Sequence, residues 1–330
     1  MKIVIVTDAW RPQINGVVRT LSAICAGLRD AGHEPLVISP DLFLTIPCPG
    51  YPSIRLAVGT RWKLPQLLAM ARPDAVHIST EGPLGLAARR YCLRRDFRFT
   101  TAFHTRFPEY LRDRIGLSLD WGYGALRRFH APSAAVMVAS ASVRAELLGR
   151  GFGRVVAWTR GVDTELFRPV PASVELPRPV FLYVGRLAVE KNLPAFLDLD
   201  LPGSKLVVGD GPMLASLRRA YPQVRFVGAR HGDELVHYYS AADVLVLPSQ
   251  TETFGLVILE ALACGVPVAA FPAPGPVDVI GSSGCGVLSE SLRDAALAAL
   301  NVPREACREH ALQFGWQASV EQFLANIAWL

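Results

Sequence analysis

Arg168-Pro169-Val170-Pro171 opens, and Pro177-Arg178-Pro179 closes, a proline-rich stretch at the middle of a 330-residue chain. Proline fixes its own φ and holds the residue before it in extended backbone, so the stretch reads as a linker. Before it, short apolar runs at 3–7, 35–39, 75–78, 99–104 and 135–140 each lead through polar or glycine punctuation into a helical stretch. After it the same pattern restarts, with runs at 180–184, 205–208, 224–227, 244–247 and 266–270. Runs that are apolar at successive positions belong to strands covered on both faces, as in a parallel sheet. Two successive αβ series predict an α/β protein of two Rossmann-like, doubly wound parallel-sheet domains facing a cleft. Residues 1–170 form the first domain in this reading and 171–312 the second. The segment 302–330 reads as helix, with Phe314, Trp316, Val320, Phe323, Leu324 and Ile327 as its apolar residues.

The composition agrees with a folded globular chain: 51% apolar and 19% charged residues exclude disordered, collagenous and coiled-coil proteins. A net charge of +5 hides an asymmetry. Residues 1–168 carry 23 basic and 13 acidic side chains, a balance of +10; residues 169–330 carry 11 and 16, a balance of −5. Only Lys2 and Lys63 of those 23 are lysines, so the first half presents arginines. The six cysteines are scattered without a Cys-x-x-Cys pair, which points to a reducing compartment, the cytoplasm. The apolar run after Met1 is too short for a signal-peptide core, and no uncharged stretch is long enough to span a bilayer. Peripheral contact with a membrane remains compatible with basic charge and exposed apolar surface.

Several chemistries are excluded by motif. No lysine follows a glycine, so a phosphate loop ending in Gly-Lys-Ser/Thr is absent. There is no His-Glu-x-x-His and no Gly-x-Ser-x-Gly. The dinucleotide fingerprint fails, because 7–12 carries no glycine and Gly209-Asp210-Gly211 lacks the third one. Asp198-Leu199-Asp200 spells a paired-aspartate metal motif, but its setting reads as a helix end before the Pro202-Gly203 turn, and no metal site is expected.

The informative constellation is Glu252-Thr253-Phe254-Gly255-Leu256-Val257-Ile258-Leu259-Glu260, after the strand 244–247. Its apolar run predicts a buried helix starting near Phe254, whose amides and positive dipole end suit a diphosphate. Glu252 precedes that helix and Glu260 lies about two turns into it, placing two carboxylates along one long ligand. Carboxylates accept from vicinal hydroxyls, the mark of a sugar or ribose. Glu252 read alone is an ordinary surface acid near a cap. It is joined by Gly185-Arg186 and Glu190-Lys191-Asn192 in the first strand-to-helix loop of the same domain, and by Gly209-Asp210-Gly211-Pro212 on the same rim. Ligands of open α/β sheets bind at that edge, and two cations there neutralise a leaving diphosphate.

These motifs, with Ala261-Leu262-Ala263-Cys264-Gly265-Val266-Pro267-Val268 after Glu260, resemble the family-4 retaining glycosyltransferases of GT-B fold. Asp8 through Gly16-Val17-Val18-Arg19 resembles the family's first loop. Glu81-Gly82-Pro83-Leu84-Gly85 and Phe103-His104-Thr105 resemble its acceptor-side motifs. The similarity runs over nearly the whole chain and is nearest to the GDP-mannose-dependent α-mannosyltransferases and the sulfoquinovosyl and glycosyl diacylglycerol synthases. The resemblance implies that Arg186 and Lys191 hold the diphosphate and Glu260 the ribose hydroxyls. Glu252 and the amides of Phe254, Gly255 and Leu256 would meet the transferred hexose and phosphate. Gly16 would line the diphosphate, Arg230 the nucleobase, and Asp8, Arg19, Glu81 and His104 the acceptor side. His104, Arg186, Lys191 and Glu252 would be the catalytic set, and 313–330 would hold a helix crossing back to the first domain.

The implied reaction moves a hexose from a GDP or UDP sugar to a hydroxyl with retention, on the same face, without a cofactor or metal. The arginines interleaved with apolar residues, at 86–95 and around Arg106, Arg112, Arg114, Arg127 and Arg128, suit an anionic membrane surface and hence a lipid or glycolipid acceptor at the cytoplasmic face. No nucleic-acid-binding module is visible. Two alternatives stay open at this point: a nucleotide-sugar 2-epimerase of the same fold, and a non-catalytic basic membrane-surface binder.

Overall fold

The computed structural model describes the backbone of residues 1–13, 15–48 and 51–330, and the side chains of all these except 51–53 and 113–115. Arg114 of the arginine-rich stretch, and residue 14 of the 8–19 loop, therefore lie outside what is described. The chain divides into two compact units, residues 1–159 with 316–330, and residues 160–315.

The first unit is built on β1 (Lys2–Val6), β2 (Glu34–Ile38), β3 (Leu44–Cys48), β4 (Tyr51–Val58), β5 (Ala75–Ile78), β6 (Thr100–Phe103), β7 (Val136–Val138) and β8 (Val155–Ala157). Six of these make a parallel sheet in the order β2-β1-β5-β6-β7-β8, while β3 and β4 form an antiparallel hairpin of their own. Successive side chains of a strand point to opposite faces, and both faces of β1 are buried. Val4 and Val6 pack with Leu64, Leu68, Leu84 and Ala88, from the helices Thr60–Ala71 and Pro83–Arg94. Ile3 and Ile5 pack with Leu21, Ile24 and Leu28 of the helix Gly16–Asp30, and with Val320 and Phe323 of the helix Trp316–Asn326. The C-terminal helix thus completes the core of this unit, where Trp158 Nε1 donates to the Ser319 carbonyl at 3.2 Å.

The second unit contains β9 (Val180–Val184), β10 (Ser204–Val208), β11 (Arg225–Gly228), β12 (Val244–Leu247), β13 (Val268–Ala270) and β14 (Gly286–Leu288). They form a parallel sheet in the order β11-β10-β9-β12-β13-β14. Counted within the unit this is 3-2-1-4-5-6, the doubly wound dinucleotide-binding order. The chain leaves β9 in one direction through β10 and β11, then returns to its other side at β12. The crevice at the carboxyl ends of β9 and β12 is where such sheets bind ligands. In the first unit the corresponding reversal lies between β1 and β5.

Three features differ from expectation. The segment 302–330 is two helices, Arg304–Ala311 and Trp316–Asn326, separated at Gly315; the Phe314 carbonyl between them accepts from the Val162 amide at 2.9 Å. The β3–β4 hairpin has no counterpart in the apolar runs, because its residues are largely exposed: Leu44 and Ile46 face solvent. The edge strands β8 and β14 are three residues each and only partly buried, so neither stands out as an apolar run, whereas the equally short β7 and β13 are fully buried.

Candidate active site

In the second unit the loops after β9 and β12 are tied together. Ser249 Oγ and Thr251 Oγ1 donate to the Glu190 carbonyl at 3.4 and 3.3 Å, and Asn192 Nδ2 donates to the Pro248 carbonyl at 3.3 Å. Lys191 Nζ donates to Glu252 Oε2 at 2.6 Å, an ion pair of which both side chains are mostly buried. The two charges that sequence placed on one rim therefore touch, although 61 residues separate them. A third loop joins them: the Leu187 amide donates to the Asp210 carbonyl at 2.9 Å. A Cβ on Gly209 would lie 1.9 Å from the Gly185 carbonyl oxygen, so only glycine lets these loops close to this distance. Arg186 follows Gly185, and its carbonyl accepts from the Tyr183 hydroxyl at 2.9 Å.

The helix starts later than its apolar run predicts, at Leu256, and ends at Ala263. Gly255 caps it at φ 83, backbone that a side-chain-bearing residue adopts only with strain. The Gly275 amide donates to the Glu252 carbonyl at 3.0 Å and fixes the segment in front of the cap. Helix starts have amides without intrahelical acceptors and a partial positive charge. Phe254 is buried beside this start, while Leu256 is half-buried. Glu260, 4% exposed, accepts from the Tyr239 hydroxyl at 2.9 Å. Arg230, past the carboxyl end of β11, lies 3.8 Å from Glu234, and its buried Nε makes no hydrogen bond among the described residues. Asp198 and Asp200 follow the short helix Pro194–Leu197; Asp198 accepts from the Tyr221 hydroxyl at 2.7 Å. Among the described residues no three His, Cys, Asp or Glu side chains converge as metal ligands would.

In the first unit Asp8 occupies the carboxyl end of β1 and is nearly buried. It caps a helix from a distance in sequence: Leu84 and Gly85, in the first turn of Pro83–Arg94, donate their amides to Asp8 Oδ1 and Oδ2 at 2.9 and 3.4 Å. The Thr80 hydroxyl donates to Asp8 Oδ2 at 2.8 Å. Burial raises the Asp8 pKa despite these three donors, and the nearby Glu81 charge pushes it the same way. Glu81 Oε1 lies 3.2 Å from His130 Nε2, and His130 Nδ1 lies 2.9 Å from Thr101 Oγ1. His104 stands at the carboxyl end of β6 with its ring 5.6 Å from Trp158. Gly16 opens the helix Gly16–Asp30, capped by the Asn15 side chain, and Arg19 lies half-buried in its first turn.

The chain matches the family Glycosyl transferases group 1 over residues 170–302 and Glycosyltransferase Family 4 over residues 14–166. It is 31% identical over 316 residues to a GDP-mannose-dependent alpha-mannosyltransferase of Mycobacterium tuberculosis, covering 87% of this chain and 83% of that one. This chain is a family-4 glycosyltransferase.

The enzyme is a hexosyltransferase whose two sheets have the GT-B architecture. It is also 30% identical to the sulfoquinovosyl transferase SQD2 of Arabidopsis thaliana, over 77% of this chain and 56% of that one. Sucrose-phosphate synthase from Thermosynechococcus elongatus superimposes with a TM-score of 0.80 at 21% identity, covering 98% and 97% of the two chains. Within the transferase two buried polar residues escaped the sequence reading, Tyr239 beside Glu260 and His130 beside Glu81. Neither belongs to the motif it serves, and each arrives from a helix elsewhere in the chain, Gly232–Ala241 and Leu119–His130. Several arginines of the first unit are tied into it. Arg106, largely buried, pairs with Glu109 and Glu146; Arg127, though exposed, donates to the Arg150 carbonyl, and Arg89 donates to the Phe129 and Arg128 carbonyls at the end of the helix Leu119–His130. No helix among the described residues is long and apolar enough to cross a membrane.

Proposed function

We propose that the enzyme transfers a hexose, mannose, glucose or a relative, with retention from a GDP or UDP sugar to a hydroxyl of a membrane lipid such as diacylglycerol or a glycolipid. It works without a metal, peripherally at the cytoplasmic face. The observation that carries this reading is the Lys191–Glu252 pair at the reversal point of the second sheet, in front of a helix start and on the segment that also carries the buried Glu260. The family match and the GDP-mannose-dependent relative support a sugar diphosphate in that position. The surface arginines of the first unit support a lipid acceptor.

In the proposed reaction the bond between the sugar C1 and the diphosphate oxygen breaks while the acceptor oxygen bonds to C1 on the same face. The departing phosphate oxygen takes the acceptor proton, so no protein base is needed. Negative charge grows on the diphosphate, and in this reading Arg186, Lys191 and the amides at the start of Leu256–Ala263 stabilise it as fixed positive groups. Those groups take the part a divalent cation plays in other transferases. Glu252 orients Lys191 and accepts from hexose hydroxyls, and Glu260, held by Tyr239, accepts from the ribose. Arg230 is the residue proposed to face the nucleobase. On the acceptor side Asp8, Arg19, Glu81 and His104 position the incoming hydroxyl.

The test is a panel of GDP and UDP sugars incubated with membrane lipids and chelator, with the product analysed by mass and anomeric configuration. An α-linked glycolipid is expected. Glu260→Gln removes a charged acceptor and should weaken donor binding about 10- to 100-fold, with Tyr239→Phe giving a smaller loss in the same direction. Unchanged turnover of Glu260→Gln would overturn the donor assignment, and an isomerised sugar formed from the donor alone would mark an epimerase instead.

A further inference from the structure

In the first unit, the helices Thr60–Ala71 and Pro83–Arg94 flank a groove of about 550 Å³. Thr60, Arg61, Arg90, Tyr91, Arg94 and Arg95 supply its polar lining, and no acid lines it. None of these four arginines has an ion pair among the described residues. Arg90 and Arg94 stand one helical turn apart, a spacing at which like charges destabilise a helix. Arg95 follows directly. Arg95 stacks over the Tyr91 ring at 5.8 Å, and an anion entering the cluster would relieve the repulsion between Arg90 and Arg94.

Two further observations say what kind of anion. The Arg61 guanidinium lies 4.3 Å from the centre of the Trp62 ring, and that ring is 64% exposed. On the facing helix Leu86 and Leu93, two turns apart, are 55% and 47% exposed. A cationic groove lined by Leu86, on two helices that also expose Trp62 and Leu93, matches a membrane interface, where tryptophan settles at headgroup depth and aliphatic side chains enter the acyl boundary. A small soluble anion would use the arginines but leave these apolar side chains in water.

We propose that this groove is the docking site for the phosphate headgroup of an anionic membrane phospholipid. The proposal rests on the membrane-side reading above, but names residues outside the transfer machinery. The groove begins at Pro83, two residues from Glu81, so a lipid bound there brings the membrane surface to the acceptor side of the same unit.

The test is co-sedimentation of the whole protein with phosphatidylcholine vesicles containing or lacking phosphatidylglycerol. The wild type should sediment only with the anionic vesicles, and its tryptophan emission should shift to the blue. Arg90→Glu with Arg94→Glu should lower the apparent affinity by about tenfold or more. Arg29→Glu with Arg154→Glu, the same change in net charge at exposed positions outside the groove, should retain most of it. Equal losses in the two pairs would overturn the proposal in favour of diffuse attraction. Arg90→Gln with Arg94→Gln gives an intermediate loss in a variant free of new charges, and an unchanged melting temperature confirms that it is folded. Trp62→Phe should abolish the emission shift; a shift that survives would overturn the insertion of Trp62 into the interface. Displacement from vesicles by millimolar inorganic phosphate, or capture by a DNA duplex without vesicle binding, would each overturn the lipid as occupant. Because sedimentation needs no turnover, failure of glycosyl transfer to a lipid and failure of docking are read separately.

Discussion

Asp8 shows how burial and hydrogen bonding compete at one residue of this transferase. Its carboxylate is desolvated at the end of β1, yet it receives two helix amides and a hydroxyl. Burial wins, and the pKa rises. An acid whose folded pKa exceeds its unfolded value contributes stability that is fully present below the unfolded value of about 3.9 and is lost as pH rises through the folded one. As pH rises through the folded pKa, the wild type therefore takes on a charge that opposes folding. Asp8→Asn keeps an acceptor for the helix amides and does not titrate. Its unfolding free energy relative to wild type should accordingly improve as pH rises from about 4 toward neutrality. Urea titrations of both proteins across that range check the sign; a difference that shrinks with pH would refute the burial argument.

At the scale of elements, the start of the helix Pro83–Arg94 is fitted against the loop that precedes it. A Cβ on Gly85 would lie 1.8 Å from the Thr80 carbonyl oxygen, and one on Gly82 would lie 2.5 Å from the Asp8 carboxylate. Alanine has the higher helix propensity, so propensity alone favours Gly85→Ala. The contact reverses that: either the helix shifts away from β5 or Thr80 gives up Asp8. Gly85→Ala should destabilise the protein by about 1–3 kcal/mol, the range for overpacking a tight site. Gly124, inside the helix Leu119–His130 with nothing within 4 Å of a Cβ, is the control. Gly124→Ala should stabilise by about 0.4–1 kcal/mol through the loss of unfolded-state freedom. Opposite signs in thermal melts of the two variants are the expected result.

At the scale of the molecule, the chain closes its first unit with its last residues. Phe323 is fully buried among Ile3, Ile5, Leu21 and Trp158, its ring 5.3 Å from Trp158 and 5.0 Å from His77. Beyond the helix, Trp329 bridges to Ala75 and the Leu330 amide donates to the Asp74 carbonyl at 2.9 Å. Phe323→Ala should cost about 3–5 kcal/mol. The loss should appear in hydrogen exchange of β1 and β5, which share that core, before it appears in β9. Faster exchange spread evenly over both sheets would refute this assignment of the C-terminal helix.

The sequence by itself determined the two αβ series, because strands covered on both faces must be apolar at successive positions, and such runs stand out between glycine and polar punctuation. It also supplied the candidate donor residues, since Arg186 and Lys191, like Glu252 and Glu260, lie in short segments whose spacing is local. Short or solvent-facing strands, β8, β14 and the β3–β4 hairpin, left no such trace. Only the tertiary structure decided that Lys191 and Glu252 form a 2.6 Å pair, that Tyr239 backs Glu260 and His130 backs Glu81, and that Asp8 caps a helix 76 residues away. It likewise separated the arginines that brace Leu119–His130 from those that line an open groove. Each of these contacts joins segments far apart in the chain. Periodicity and spacing record which face of an element is apolar, whereas the partner of a buried polar group is set by the order in which strands are laid beside one another.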